Sequence, residues 1–199
     1  MKSNVCKIDN GNKGLDAILK ESESVALYNG FNHKQTMQLR LICEEIDGML
    51  PNIVEDFDGD FWIEYEDGVC KVNVSIKIPE INAKGKEELI NVAKNKKNAA
   101  AVGIVGKIRN AIEDFFLKEN ASGDFVSSAG LFYLSTAYSD SIEYSHVWTL
   151  NNYRENVKQE VQEEAWDELE KSIIASLADD VIVGVKGKRA NIVVVKKFA

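Results

Sequence analysis

Two adjacent carboxylates, Glu44 and Glu45, sit in the stretch QLRLICEEIDGML, residues 38–50, and are the acids whose placement suggests chemistry. Neighbouring residues on a helix point about 100° apart, so this pair does not form a proton-sharing dyad. Other chemistries fail on spacing. Glu55 to Asp60 resembles a calcium loop, but counted from Asp56 the glycine is fourth and the twelfth position is Asp67. A calcium-binding EF-hand loop needs glycine sixth and a bidentate glutamate twelfth. Gly184-Val185-Lys186-Gly187-Lys188-Arg189 is too short for a phosphate-binding P-loop, and no Ser or Thr follows its lysine. His33 and His146 are the two histidines, which excludes a multi-histidine metal site. Cys6, Cys43 and Cys70 form no CxxC pair, so neither a zinc ribbon nor a dithiol redox site is legible, and the three are expected as reduced, mostly buried thiols.

The acids need an element to hold them. Met37, Leu41, Ile46, Met49, Leu50 and Ile53 recur at helical spacing, which predicts a helix over about 34–53. Asn32 and Gln35 form a capping-box signature at its start, and Pro51 lies near its end. A short edge strand over 4–8 and a helix over about 13–26, closed by Asn29-Gly30, precede it. The residues from Phe61 to Ile78 read as a hairpin turning at Asp67-Gly68, a pair suited to two positive φ angles. Folding there pairs Tyr65 with Cys70, Ile63 with Val72 and Phe61 with Val74 on an apolar face. Glu64 then meets Lys71, and Trp62 meets Asn73, on the other.

A short helix over 86–93 follows, then a long one over 98–118 with Val102, Val105, Ile108, Ile112, Phe115 and Phe116 inward and Gly103 and Gly106 in its first turns. Glycine inside a helix costs about 0.5–1 kcal/mol against alanine, so these two are expected where close packing or ligand approach needs a small residue. Residues 120–152, rich in Ser, Gly and aromatics, read as an insertion with short strands such as 143–150. A charged helix over 154–178 follows, with Val161, Trp166, Leu169, Ile173 and Leu177 as its inner stripe. The chain closes with a second hairpin over 180–198, pairing Val185 with Ala190, Val183 with Ile192 and Val181 with Val194. Apolar residues on both its faces predict a central position in the sheet.

The chain has 199 residues, 45% hydrophobic and 28% charged, with a net charge of -8. That length suits one α+β domain, carrying its insertion at 120–152. The element order predicts a two-layer sandwich: a mixed, mostly antiparallel sheet with helices on one face. The acidic balance argues against nucleic acid as a partner. Lys94, Lys96, Lys97, Lys196 and Lys197 read as solvated surface. No run of about 18 apolar residues exists to cross a membrane, and no signal-peptide pattern opens the chain, so a soluble, cytoplasmic protein is expected.

This order and two phrases resemble the histidine kinase-like ATPase (GHKL) superfamily, nearest its anti-sigma-factor serine kinase branch. Residues 39–50 are similar to that family's N-box helix, and residues 177–198 to its closing segment, where an acidic turn leads into a final hairpin. The whole chain also resembles a group of uncharacterised bacterial proteins loosely assigned to that superfamily. The resemblance implies Glu44 as the group that orients or deprotonates the nucleophile, and ATP with Mg2+ as the cofactor. It places Gly48 where the family has the asparagine that holds Mg2+, with Asn52 one turn further on. It places Glu80 near the family's adenine-reading aspartate, which this chain lacks. The phosphate-receiving glycine box corresponds either to Gly103 and Gly106 or to nothing, with the Trp166 helix in its place. These departures imply a regulatory or protein-binding module that has lost nucleotide chemistry and works with a protein partner. The alternative is a divergent ATP-binding serine/threonine protein kinase.

Overall fold

In the computed structural model, residues 1–11, 14–54, 56–77, 103–121, 147–159, 169, 172–186 and 188–198 are described. Two hairpins form the middle of a six-stranded sheet. The first comprises β2 (Asp58–Glu66) and β3 (Val69–Lys77), and the second β5 (Asp180–Lys186) and β6 (Arg189–Lys197). β1 (Cys6–Asp9) and β4 (Val147–Thr149) are the edges, and the order is β1-β2-β3-β6-β5-β4. Every pairing in it is antiparallel, so the mixed sheet expected from the sequence is corrected: the two hairpins join through β3 and β6, which need no parallel crossover.

The β2–β3 register is the expected one, with Tyr65 opposite Cys70, Ile63 opposite Val72 and Phe61 opposite Val74. The turn explains why no slip occurs: Asp67 and Gly68 both take positive φ, 48° and 81°, the backbone that Asp-Gly tolerates and that matches strand twist. The second hairpin also keeps its expected pairs, Val185–Ala190, Val183–Ile192 and Val181–Val194. It lies inside the sheet, β6 between β3 and β5 and β5 between β6 and β4.

Five helices are described. α1 (Leu15–Tyr28) and α2 (His33–Ile53) are joined by a turn through Gly30, which sits at φ 67°. α2 starts as its sequence dictates. The Asn32 side chain accepts from Gln35 N at 3.0 Å, and Gln35 Oε1 accepts from Asn32 N at 2.9 Å. α3 (Gly103–Ala121), α4 (Leu150–Gln159) and α5 (Ile173–Leu177) follow. All five place buried side chains in one apolar cluster with one face of the sheet: Ile18, Leu39, Ile108, Leu150 and Ile174 meet Phe61, Ile63, Val72, Ile192 and Val194. That is the expected helical layer. The other sheet face carries a smaller apolar cluster of Ile182, Val193 and Val195.

Four expectations need correction. The buried stripe of α2 runs through Leu39, Ile42, Cys43, Ile46, Met49, Leu50 and Ile53, while Met37 and Leu41 are exposed. Ile46 and Met49 share an arc with Leu39 and Ile42, and that denser arc wins the sheet. The single helix over 154–178 is not formed. α4 begins at Leu150, and Ser172, extended at φ -81° and ψ 121°, caps a separate α5 by accepting from Ala175 N. Ile173, assigned to an inner stripe, is therefore 44% exposed at the first position of that new helix. α3 starts at Gly103, later than residue 98, because Gly103 takes φ 82°, outside the helical region. Of the candidate insertion over 120–152, the end of α3, β4 and the first turn of α4 are described; the helix expected over 86–93 lies outside the described residues. No described helix is long and apolar enough to cross a membrane.

Candidate functional site

The candidate residues of α2 are four apart, Glu44, Gly48 and Asn52, and so drift only about 40° per step around the helix. The core stripe of α2 occupies the opposite side. The three therefore run down the outward face: Glu44 is half-buried by its neighbours, and Gly48 and Asn52 are exposed. A Cβ at Gly48 would meet nothing within 4 Å. The Asn52 amide donates weakly to Gly48 O at 3.5 Å, a bond within its own helix.

The Glu44 carboxylate is engaged. Arg40 Nε donates to Glu44 Oε1 at 3.0 Å, one turn back, and Arg40 Nη1 donates to Glu23 Oε1 of α1 at 2.9 Å. One guanidinium thus bridges two carboxylates and ties α1 to α2 at the surface. Asp47 of the same helix is half-buried, and burial pushes its carboxyl above the usual range.

The other candidates lie elsewhere. Gly103 opens α3, and a Cβ there would meet nothing within 4 Å. Gly106 is buried in the following turn. α3 packs on α2 and β5. Glu80 lies outside the described residues. Among the described residues, no three His, Cys, Asp or Glu side chains are grouped to hold a metal ion. The cysteines lie in the core. Burial pushes the Cys70 thiol up to about 12 and holds Cys43 well above the usual thiol range.

Two polar groups escaped sequence reasoning. The first sits where β5 meets α4. Asp180 is buried, and its carboxylate accepts from the backbone N–H of Asn151 and of Val181, at 3.1 and 2.9 Å. Burial raises its affinity for a proton, and those two donors with Arg154 oppose the rise. Arg154 in turn donates to Ala175 O, Ala178 O and Asp179 O, satisfying the last carbonyls of α5 and the corner after it. The second group crosses the outer sheet face. Lys7 Nζ meets Asp60 Oδ1 at 2.5 Å, Arg189 Nη2 meets Asp60 Oδ2 at 2.9 Å, Arg189 Nε donates to Ser75 Oγ at 2.9 Å, and Ser75 Oγ donates to Asn191 Oδ1 at 2.6 Å. The signal lay in the β3–β6 pairing, which sets Ser75 opposite Asn191 and joins residues from distant parts of the chain. Comparisons with protein-family models, with curated proteins and with solved structures gave no match.

Proposed function

We propose that the chain is a regulatory or protein-binding module on a degenerate histidine kinase-like ATPase fold, without nucleotide chemistry of its own. The observation that carries this reading is the state of Glu44. Its carboxylate is ion-paired to an arginine that also bridges to Glu23, on the outward face of α2. A general base needs a carboxylate available to the nucleophile's proton. A Mg2+ site needs a further oxygen one turn on, where this chain has the bare backbone of Gly48. With neither, the fold keeps a scaffold and offers its surfaces to a protein partner.

The competing reading, a divergent ATP-dependent serine/threonine kinase, is favoured by the open space around Gly48 and Gly103. Thermal unfolding with and without ATP and Mg2+ separates the two. The regulatory reading expects no Mg2+-dependent stabilisation and no phosphotransfer that Glu44→Ala removes. Phosphotransfer lost in Glu44→Ala at unchanged stability overturns it.

A further inference from the structure

In a stretch too short to be a P-loop, Lys186 ends β5, Lys188 lies in the turn and Arg189 begins β6. The register sets Lys186 beside Arg189 on β6, and Arg189 beside Lys77 on β3. Paired residues of antiparallel strands project from the same face, so three cations stand in a row across three adjacent strands, with Lys188 in the turn beside them. This is the outer face, away from the helices. Lys77, Lys186 and Lys188 are exposed.

Like charges set directly opposite each other destabilise a sheet. Arg189 is relieved by Asp60 Oδ2 and held rigid by Ser75, whose Oγ and carbonyl oxygen it also reaches at 2.9 Å. No ion pair forms at Lys77 or Lys186 among the described residues. The row continues on the other side with Asp58 opposite Lys77 and Asp9 opposite Asp58. It is therefore polar along its length, acidic over β1–β2 and basic over β3–β6–β5, in a chain whose net charge is -8.

We infer that this corner binds an acidic peptide segment of a protein partner, its carboxylates on Lys77, Arg189 and Lys186. The acids of β1 and β2 repel it from that end and so fix its direction. Strands lie about 4.8 Å apart, so Lys77 and Lys186 stand roughly 10 Å apart, a span that about three residues of an extended peptide cover. Charge complementarity carries the choice of occupant: at the two ends of the row Lys77 and Lys186 are exposed and form no ion pair among the described residues, and an acidic segment offsets their charge while the anchored Arg189 guanidinium gives it a fixed point. The inference rests on the protein-binding reading for the class of ligand but uses a surface that reading does not.

The test is fluorescence anisotropy of a labelled glutamate-rich peptide, with its glutamine counterpart as control, on the full chain. The glutamate peptide should bind at low salt and weaken steeply as salt rises, while the glutamine peptide does not bind. Lys77→Ala and Lys186→Ala should each weaken binding about two- to fivefold, and together roughly tenfold. Lys77→Arg should restore it, and Lys20→Ala and Lys34→Ala on the helical side should leave it unchanged. Equal binding by the double variant, with its melting unchanged, overturns the proposal. So does tighter binding of a single-stranded oligonucleotide, or self-association that the double variant abolishes. Loss of peptide binding in wild type leaves the regulatory reading intact, because that reading falls only to nucleotide binding or phosphotransfer, measured on the same preparation.

Discussion

Arg40 Nε lies 3.0 Å from Glu44 Oε1 across one turn of α2, and Arg40 Nη1 lies 2.9 Å from Glu23 of α1. These side chains are 36–57% exposed, so the bridge is a surface one and contributes at most about 1 kcal/mol. Glu44→Ala should therefore change stability by about 0.5 kcal/mol or less, and Arg40→Ala by slightly more because it frees two carboxylates. Urea denaturation checks both. A loss of several kcal/mol in Glu44→Ala would mean that this carboxylate holds something the helix surface does not explain.

Two glycines should respond in opposite directions to alanine. Gly48 is helical, exposed and surrounded by open space, so Gly48→Ala should stabilise by about 0.5–1 kcal/mol. At Gly59 a Cβ would lie 2.7 Å from Ser75 O and 3.2 Å from Ile76 Cα, both backbone atoms. Gly59→Ala must push β2 away from β3 and should destabilise by about 1–3 kcal/mol. Melting temperatures of the two variants would move to opposite sides of wild type.

The capping box of α2 was legible because it is local: Asn32 and Gln35 are three residues apart and each side chain accepts from the other's backbone N–H. Asn32→Ala should lower stability by about 0.5–2 kcal/mol, read from the midpoint of chemical unfolding. The hairpin registers were legible for a related reason, since Asp67-Gly68 and the alternation on either side leave one pairing that buries an apolar face.

What the sequence left open was non-local. The contact of β3 with β6 joins Ser75 to Asn191, and no periodicity near either residue announces it. The same holds for Asp180 and Arg154, which meet only because α4 folds back on the end of α5. The helix expected over 154–178 hid this corner, because Ile173 and Leu177 continue a helical spacing that the cap at Ser172 interrupts. Of the candidate site, the helix and the exposed placement of position 48 could be reasoned from spacing. The bridge from Glu44 through Arg40 to Glu23 needed the packing of α1 on α2.

Arg154 donates to the carbonyls of Ala175, Ala178 and Asp179, which end α5 and lead into β5. Arg154→Ala leaves those acceptors without their charged donor and removes a favourable charge near Asp180. The loss should be about 1.5–3 kcal/mol, and Arg154→Lys, lacking the planar fork, should recover only part of it. Chemical unfolding of both variants measures the difference.

The buried thiols set a pH dependence. Cys70 is pushed from 9.0 up to about 12, and Cys43 well above 9.0, in both cases chiefly by burial. The folded state keeps its protons where the unfolded chain loses them, so this contribution is whole below about pH 9. It falls by about 1.4 kcal/mol per pH unit per thiol as pH rises from there through the folded values. Stability measured from pH 8 to 11 should drop with that sign, and Cys70→Ala should flatten the slope. In the native state these thiols should react with a thiol reagent only as fast as the protein unfolds.

The most direct measurement is the melting temperature with and without about 1 mM ATP and Mg2+. A ligand of about 10 μM Kd would add roughly 2.7 kcal/mol to the folded state at that concentration, a shift of several degrees. A module whose Glu44 is held by Arg40 and whose position 48 has no side-chain oxygen to offer a metal should show no Mg2+-dependent shift. A shift of several degrees that disappears when Mg2+ is removed would contradict it.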